Sequence, residues 1–143
     1  MTMPNKPMVE NGPAMPDKVF DLLRQAAQLL PSRFRDAPFP WVDYTYPHSW
    51  QVFMRGDWEA IWIQEDEVEW SPLWDLFLEA ACREECGARG WGYNLFDHGK
   101  GITPVAEIIT PPYGEPVAST GDTPAQALLS ALLSALAQHE AQA

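Results

Sequence analysis

The chain has 143 residues, 46% of them hydrophobic, with seven tryptophans; this composition excludes an intrinsically disordered protein and allows one domain with a substantial core. Its formal net charge of −11 disfavours direct binding to nucleic acid, because an acidic surface repels phosphate groups. No apolar run approaches the length of about eighteen residues that spans a bilayer, so we expect no membrane segment.

Residues 1–15 carry three prolines and few apolar anchors, which predicts a flexible N-terminal arm. The apolar stripe from Val19 to Leu30 predicts a helix over 16–30, ended by Pro31. Prolines interspersed with aromatic residues over 31–48 predict a long irregular connection.

Two β-prone runs, 50–54 and 58–63, predict a hairpin with a turn at 55–57. Because apolar residues occur on both faces of these runs, we expect the sheet to be covered on both sides. A serine–proline pair then marks a helix start, and apolar residues at helical spacing predict a helix over 72–86 that Gly87 stops.

A second pair of β-prone runs, 91–96 and 102–110, predicts another hairpin with a glycine-rich turn between them. Pro104 cannot donate to a ladder, so the start of the second run is expected at an edge or a bulge. Prolines and glycines over 111–122 predict a loop.

The last predicted helix begins at the threonine–proline pair 123–124. An unbroken apolar stripe from Ala125 to Leu136 indicates one buried face, with Gln126 and Ser130 on the opposite side.

The predicted element order is therefore α-β-β-α-β-β-α. Four antiparallel strands with apolar residues on both faces need helices on both sides. We predict an α+β fold with a four-stranded, mainly antiparallel sheet in a layered α/β/α sandwich. It comprises a single domain over residues 16–138, followed by a frayed tail at 139–143.

Three segments give the chain a family resemblance, and they are Gly90-Trp91-Gly92-Tyr93 through His98-Gly99, the alternating run Ile102 to Ile109, and Gly121-Asp122-Thr123-Pro124-Ala125-Gln126-Ala127-Leu128-Leu129. Over about residues 50–137 the chain resembles the phage ABA sandwich family of small bacteriophage and prophage proteins. The resemblance implies a helix–sheet–helix domain of phage origin with no assigned chemistry. It implies no functional residue.

The two cysteines, Cys82 and Cys86, lie four apart in the predicted second helix. No charged start followed by an apolar run precedes them, so we expect reduced thiols in the cytoplasm of a bacterial host. Two thiols on one helix face could contribute half of a metal site, but free cysteines more often serve as small buried hydrophobic residues. We therefore predict no metal and no cofactor.

Ten acidic residues and one base occur between residues 57 and 85, amid more tryptophans than a small core needs. A charge run is most often a solvated face that aids solubility. Together with exposed aromatic rings, however, it would suit a basic protein surface. The predicted partner-binding residues are Trp58, Glu59, Trp62, Glu65, Asp66, Glu67, Glu69 and Trp70.

These features predict a non-enzymatic phage accessory protein that binds a host or phage protein through an acidic, aromatic-rich surface. Inhibition of a host nucleic-acid-binding defence system is one form that this function could take. Direct nucleic-acid binding is not expected, and the sequence leaves homo-oligomer formation open.

The alternative hypothesis is a small-molecule-binding module in which loops 31–48 and 111–122 enclose a ligand. Its predicted ligand-binding residues are Trp41, Tyr44, Tyr46, Asp97, His98 and Tyr113. An enzyme would depend on proton transfer between Asp97 and His98, but a glycine-flanked Asp is more typical of turn geometry.

Overall fold

A computed structural model of the chain describes residues 17–37, 39–40, 45–46, 49–63, 72–97, 99–112 and 114–142. These residues form an α+β protein with three helices, two three-stranded antiparallel sheets and a small two-stranded antiparallel sheet made by Phe39–Pro40 and Thr45–Tyr46. The elements in chain order are helix α1 (Asp17–Leu29), strands β1 (Phe34–Asp36), β2 (Phe39–Pro40), β3 (Thr45–Tyr46), β4 (Ser49–Met54) and β5 (Asp57–Ile63), helix α2 (Pro72–Arg89), strands β6 (Gly92–Phe96), β7 (Val105–Ile109) and β8 (Val117–Thr120), and helix α3 (Pro124–Gln142).

The first predicted helix is confirmed as α1. Val19, Leu23 and Ala26 are fully buried at the spacing of one helix face, so this stripe anchors the helix to the core. The backbone N–H of Leu30 still donates to the Ala26 carbonyl at 2.7 Å, and the chain leaves the helix at Pro31. Proline disfavours helical geometry in the residue before it, which accounts for the end of α1.

The first predicted hairpin is confirmed as β4 and β5. Its turn has two residues, Arg55 at φ 54° and Gly56 at φ 79°, and Met54 pairs with Asp57. Positive φ at both central positions defines a type I′ turn, whose twist matches that of paired strands. Strand β1 then adds to β4 in antiparallel register, giving the N-terminal sheet with strand order β1-β4-β5.

The second predicted hairpin is confirmed as β6 and β7. Pro104 stays out of the ladder, since β7 begins one residue later, and its carbonyl accepts a hydrogen bond from Gly121 N at 3.3 Å. Residues 117–120, predicted as loop, form β8 and pair with β7. This C-terminal sheet has the strand order β6-β7-β8.

The predicted single sheet of four strands is not confirmed. The two hairpins lie in separate sheets, and each hairpin gains its third strand from a segment that was predicted to be loop. β1 occupies the free side of β4, and β8 occupies the free side of β7. A strand of four residues or fewer is too short to show a recognisable alternation of apolar and polar residues. The third strand of each sheet could therefore not be predicted from its own sequence.

Helix α3 lies at the centre of the core and is buried on nearly all sides between residues 125 and 136. Leu128, Leu129 and Leu132 are fully buried, and the helix packs against α1, α2 and the C-terminal sheet. The side of the helix opposite the apolar stripe is not exposed to solvent as expected, because Gln126 is buried and Ser130 is half-buried. The backbone of residues 139–142 is helical.

Helix α2 ends three residues later than predicted. Gly87 lies inside the helix, and Gly90, at φ 73°, terminates it. Gly90 N donates to the Gly87 carbonyl at 3.2 Å and Trp91 N to the Cys86 carbonyl at 2.9 Å, the two hydrogen bonds of a Schellman motif. A left-handed residue, rather than the first glycine encountered, therefore sets the helix end.

Replacing Gly87 by alanine should raise the free energy of unfolding by about 0.5–1 kcal/mol, because alanine restricts the unfolded chain and favours the helix. A Cβ at this position meets no atom within 4 Å. Urea unfolding followed by circular dichroism measures the change. Gly90→Ala is the matched control and should destabilise the protein, since its φ is left-handed; stabilisation by Gly90→Ala would contradict this account.

Candidate functional site

Trp58 and Glu59, two of the predicted partner-binding residues, are neighbours on β5 and lie on opposite faces of the N-terminal sheet. Glu59 pairs with Val52, a fully buried residue, and so lies on the core side. On the other face, the guanidinium carbon of Arg35 is 4.0 Å from the Trp58 ring centroid, and the Phe53 ring meets Trp58 edge-on at 5.4 Å. The two predicted residues therefore do not share one surface.

Apart from Asp97, the remaining predicted site residues lie outside the described side chains. Only the backbone is described for Trp62, in β5, and for Tyr46, in β3. The others, outside the described residues, are Glu65, Asp66, Glu67, Glu69, Trp70, Trp41, Tyr44, His98 and Tyr113. Both predicted sites therefore stay predictions.

Asp97, from the alternative ligand-binding set, has a described side chain. Its Oδ1 accepts a hydrogen bond from Gly99 N at 3.2 Å, the interaction of an Asx turn. This contact holds the turn between β6 and β7, which is the backbone role expected of a glycine-flanked aspartate.

Arg33 binds the acidic end of helix α2. It lies in the turn between α1 and β1, and its side chain is 15% exposed. Nε donates to Glu85 at 3.0 Å, while Nη1 donates to Glu84 at 3.0 Å and to the Phe53 carbonyl at 2.9 Å. One guanidinium therefore joins α2 to the N-terminal sheet, with the forked geometry that arginine provides.

Each carboxylate on the last turns of α2 has a further partner. Glu85 also pairs with Arg89 at 2.6 Å, and Glu84 accepts hydrogen bonds from the backbone N–H of Arg55 at 2.9 and 3.2 Å. Counting charges within residues 57–85 missed this compensation, because Arg33 and Arg89 lie outside that window. Much of the negative charge on α2 is therefore compensated by contacts within the fold.

Leu73 and Leu76, on the first turns of α2, are exposed large apolar residues. Their exposed fractions are 53% and 63%, and a spacing of three residues places them on one helix face. The acid-rich residues 65–69 are separated from Leu73 by three residues in sequence. Both leucines are among the apolar residues whose helical spacing predicted this helix, and that spacing did not predict that they would be exposed.

The two cysteines are free and buried in helix α2, as expected for small hydrophobic residues. Burial raises the pKa of the Cys82 thiol well above its ordinary value, and burial together with the nearby Glu85 carboxylate raises the pKa of Cys86 to about 11. Among the described residues, no group of three or more His, Cys, Asp or Glu side chains is arranged to hold a metal ion.

Both thiols should react with N-ethylmaleimide at pH 8 about a hundredfold more slowly in the folded protein than in urea, because the thiolate is the nucleophile and a raised pKa depletes it. Mass spectrometry of timed samples measures the rate. Rapid double modification of the folded protein would contradict the buried placement of the cysteines.

A polar crevice of about 480 Å³ lies beside the start of helix α3. Helix α1, strand β8 and the residues between β8 and α3 form its walls, with Thr103 contributed from the segment before β7. A second hollow of about 230 Å³ shares Thr103, Gly121 and Asp122 with it, so the two adjoin.

Thr123 and Gly121 fix the local geometry of this crevice. Thr123 caps α3: its Oγ1 accepts a hydrogen bond from Gln126 N at 3.1 Å and donates one to Asp75 of α2 at 3.0 Å. At Gly121 the chain passes so close to α3 that a Cβ would lie 2.4 Å from Ala127 N. Glycine is therefore required where β8 meets the helix.

Comparison with models of protein families, with curated proteins and with solved structures finds no match. The resemblance to phage proteins therefore stays a prediction. No helix in the described part of the chain combines the length and apolarity needed to cross a membrane.

Proposed function

We propose that the chain is a non-enzymatic accessory protein of a bacteriophage or prophage that binds, in the cytoplasm of a bacterial host, a protein partner with a basic surface. The phage setting rests on the resemblance of residues 50–137 alone. Proteins that bind nucleic acid carry basic surfaces that attract an acidic protein. Inhibition of a host nucleic-acid-binding defence system is therefore the form of this function that we propose.

The observation that carries the proposal is the exposure of Leu73 and Leu76 on one face of helix α2. Apolar side chains at the centre of a contact, surrounded by charge, are typical of protein interfaces. The acid-rich sequence 65–69 precedes helix α2 in the chain, so a partner that combines an apolar patch with basic residues would suit this part of the protein.

The distribution of charge also favours the N-terminal end of helix α2 as the binding surface. Arg33 and Arg89 compensate Glu84 and Glu85, whereas 20 acidic residues against nine basic ones leave a large excess elsewhere in the chain. An excess of this size accelerates association with a basic partner and weakens with salt.

The test is capture of host proteins by the immobilised chain at low salt, with identification by mass spectrometry. We expect the chain to capture a basic protein, which is eluted by salt and displaced by heparin, a polyanion. The variant Leu73→Ser/Leu76→Ser should lose it, whereas Ile102→Ser, another exposed apolar residue, should retain it.

Failure to capture any protein would contradict the proposal. Capture that is indifferent to salt, to heparin and to the double leucine variant would contradict it equally, because neither charge nor the leucine pair would then contribute.

A second candidate function is small-molecule binding by the loop after β7. Residues 110–112, 114, 115 and 117 and the last turns of α3, including Gln138 and His139, line a cavity of about 270 Å³. Thermal-shift screening with metabolites and nucleotides tests this function, since a ligand that binds the folded state raises Tm. A panel that leaves Tm unchanged would contradict it.

A further inference from the structure

The polar crevice at the start of helix α3 contains a buried side chain that the described residues around it leave unsatisfied. Gln126 lines the crevice and is 2% exposed. Its backbone N–H donates to Thr123, but its carboxamide has no hydrogen-bond partner among the residues that the structure describes. A carboxamide offers two donor hydrogens and an accepting oxygen, and leaving such a group unpaired in a buried position is costly.

The sequence offers Gln126 a partner that it does not use. A threonine cap followed three residues later by glutamine is typical of a capping box, in which the glutamine side chain accepts a hydrogen bond from the cap N–H. Only the other half of that arrangement, from Gln126 N to Thr123 Oγ1, is present in the described part of the chain. The carboxamide is thus held away from its usual local partner.

The other lining groups point to the chemistry of a ligand. Thr103, Ser119, Thr120 and Ser130 supply hydroxyls, which both donate and accept, and the Ser119 and Ser130 oxygens are 2.6 Å apart. Among the described lining residues there is no Lys, Arg or aromatic side chain. An anion would find no basic partner there, and a flat aromatic ring would find no stacking surface.

A cation is not the best match either. Two carboxylates line the crevice, but Asp21 is already paired with Arg24, and the groups around Gln126 are mostly uncharged hydroxyls. A neutral molecule with several hydroxyls matches these mixed donors and acceptors.

We infer that this crevice is a binding site for a small neutral polyhydroxy compound of the sugar or polyol class, with the Gln126 carboxamide as its central hydrogen-bonding group. The site lies at the opposite end of α3 from the cavity beside His139, roughly 20 Å away for thirteen residues of helix. It is independent of the proposed protein-binding function, because Leu73 and Leu76 do not line it.

Saturation-transfer difference NMR on the full chain tests the inference, with glucose, ribose and myo-inositol as neutral probes, spermidine as the cationic probe and citrate as the anionic probe. We expect transfer to at least one neutral probe. Gln126→Leu should weaken its binding by about tenfold or more. It should also raise Tm of the unliganded protein by about 3 °C, because it removes an unsatisfied buried group.

Gln28→Leu is the matched control, an exposed glutamine on helix α1 that lines neither cavity, and should leave probe binding unchanged. Ser130→Ala provides a second variant that removes a crevice hydroxyl and should also weaken binding. The inference is overturned by the absence of transfer to every neutral probe, by tighter binding of spermidine or citrate, by equal binding to wild type and Gln126→Leu, or by a lower Tm in Gln126→Leu.

Discussion

Replacing Arg33 by methionine should lower the free energy of unfolding by about 2–3 kcal/mol, measured by urea unfolding. The substitution leaves the Glu85 carboxylate, 12% exposed, without its partner from the α1–β1 turn and removes the donor to the Phe53 carbonyl. Breaking a fully buried pair costs more, but Glu84 is 36% exposed and water replaces part of its lost interaction.

Arg24→Met is the control for this prediction, because the Arg24–Asp21 pair is exposed and lies within one helix. Exposed pairs contribute little, so we expect a change of within about 0.5 kcal/mol. Equal effects of the two substitutions would show that Arg33 does not join α2 to the N-terminal sheet. Adding Glu85→Gln to Arg33→Met should cost less than the sum of the two single changes, since they remove the same contact.

Replacing Gly121 by alanine should destabilise the protein by about 2–3 kcal/mol, through overpacking between β8 and α3. The new Cβ would lie 2.4 Å from Ala127 N and 2.7 Å from Gln126 C. Both are backbone atoms of a central helix, so no side-chain rotation relieves the clash. Urea unfolding measures the loss of stability.

Gly114→Ala is the matched control, since a Cβ there meets no atom within 4 Å. We expect little change or slight stabilisation from the lower entropy of the unfolded chain. A neutral Gly121→Ala would mean that α3 can move away from β8 without cost.

Sequence patterns were informative where the determinants are local. The stripe on α1, the cap of α3 and the two hairpins rest on residues within a few positions of one another, and each was predicted. The end of α2 was misplaced because Gly87 and Gly90 look alike in sequence, and only backbone geometry tells them apart.

Features that depend on distant residues were not predictable. The pairing of Phe34 with Val52 and of Val105 with Thr120 creates the third strand of each sheet, and neither short segment has a pattern of its own. Arg33 meets Glu85 across 52 positions, so no local charge count could pair them. The burial of Gln126 likewise comes from packing on several sides of α3, whereas periodicity alone placed it opposite the buried face.

The division into two sheets has a consequence for self-association. Within the part of the chain that the structure describes, the two three-stranded sheets have four outermost strands, β1, β5, β6 and β8, where one sheet would have two, and an outermost strand can template pairing with another molecule. β1 and β8 are only three and four residues long, but β5 has seven. The overall charge of −11 makes copies of the chain repel one another and so opposes pairing between such edges.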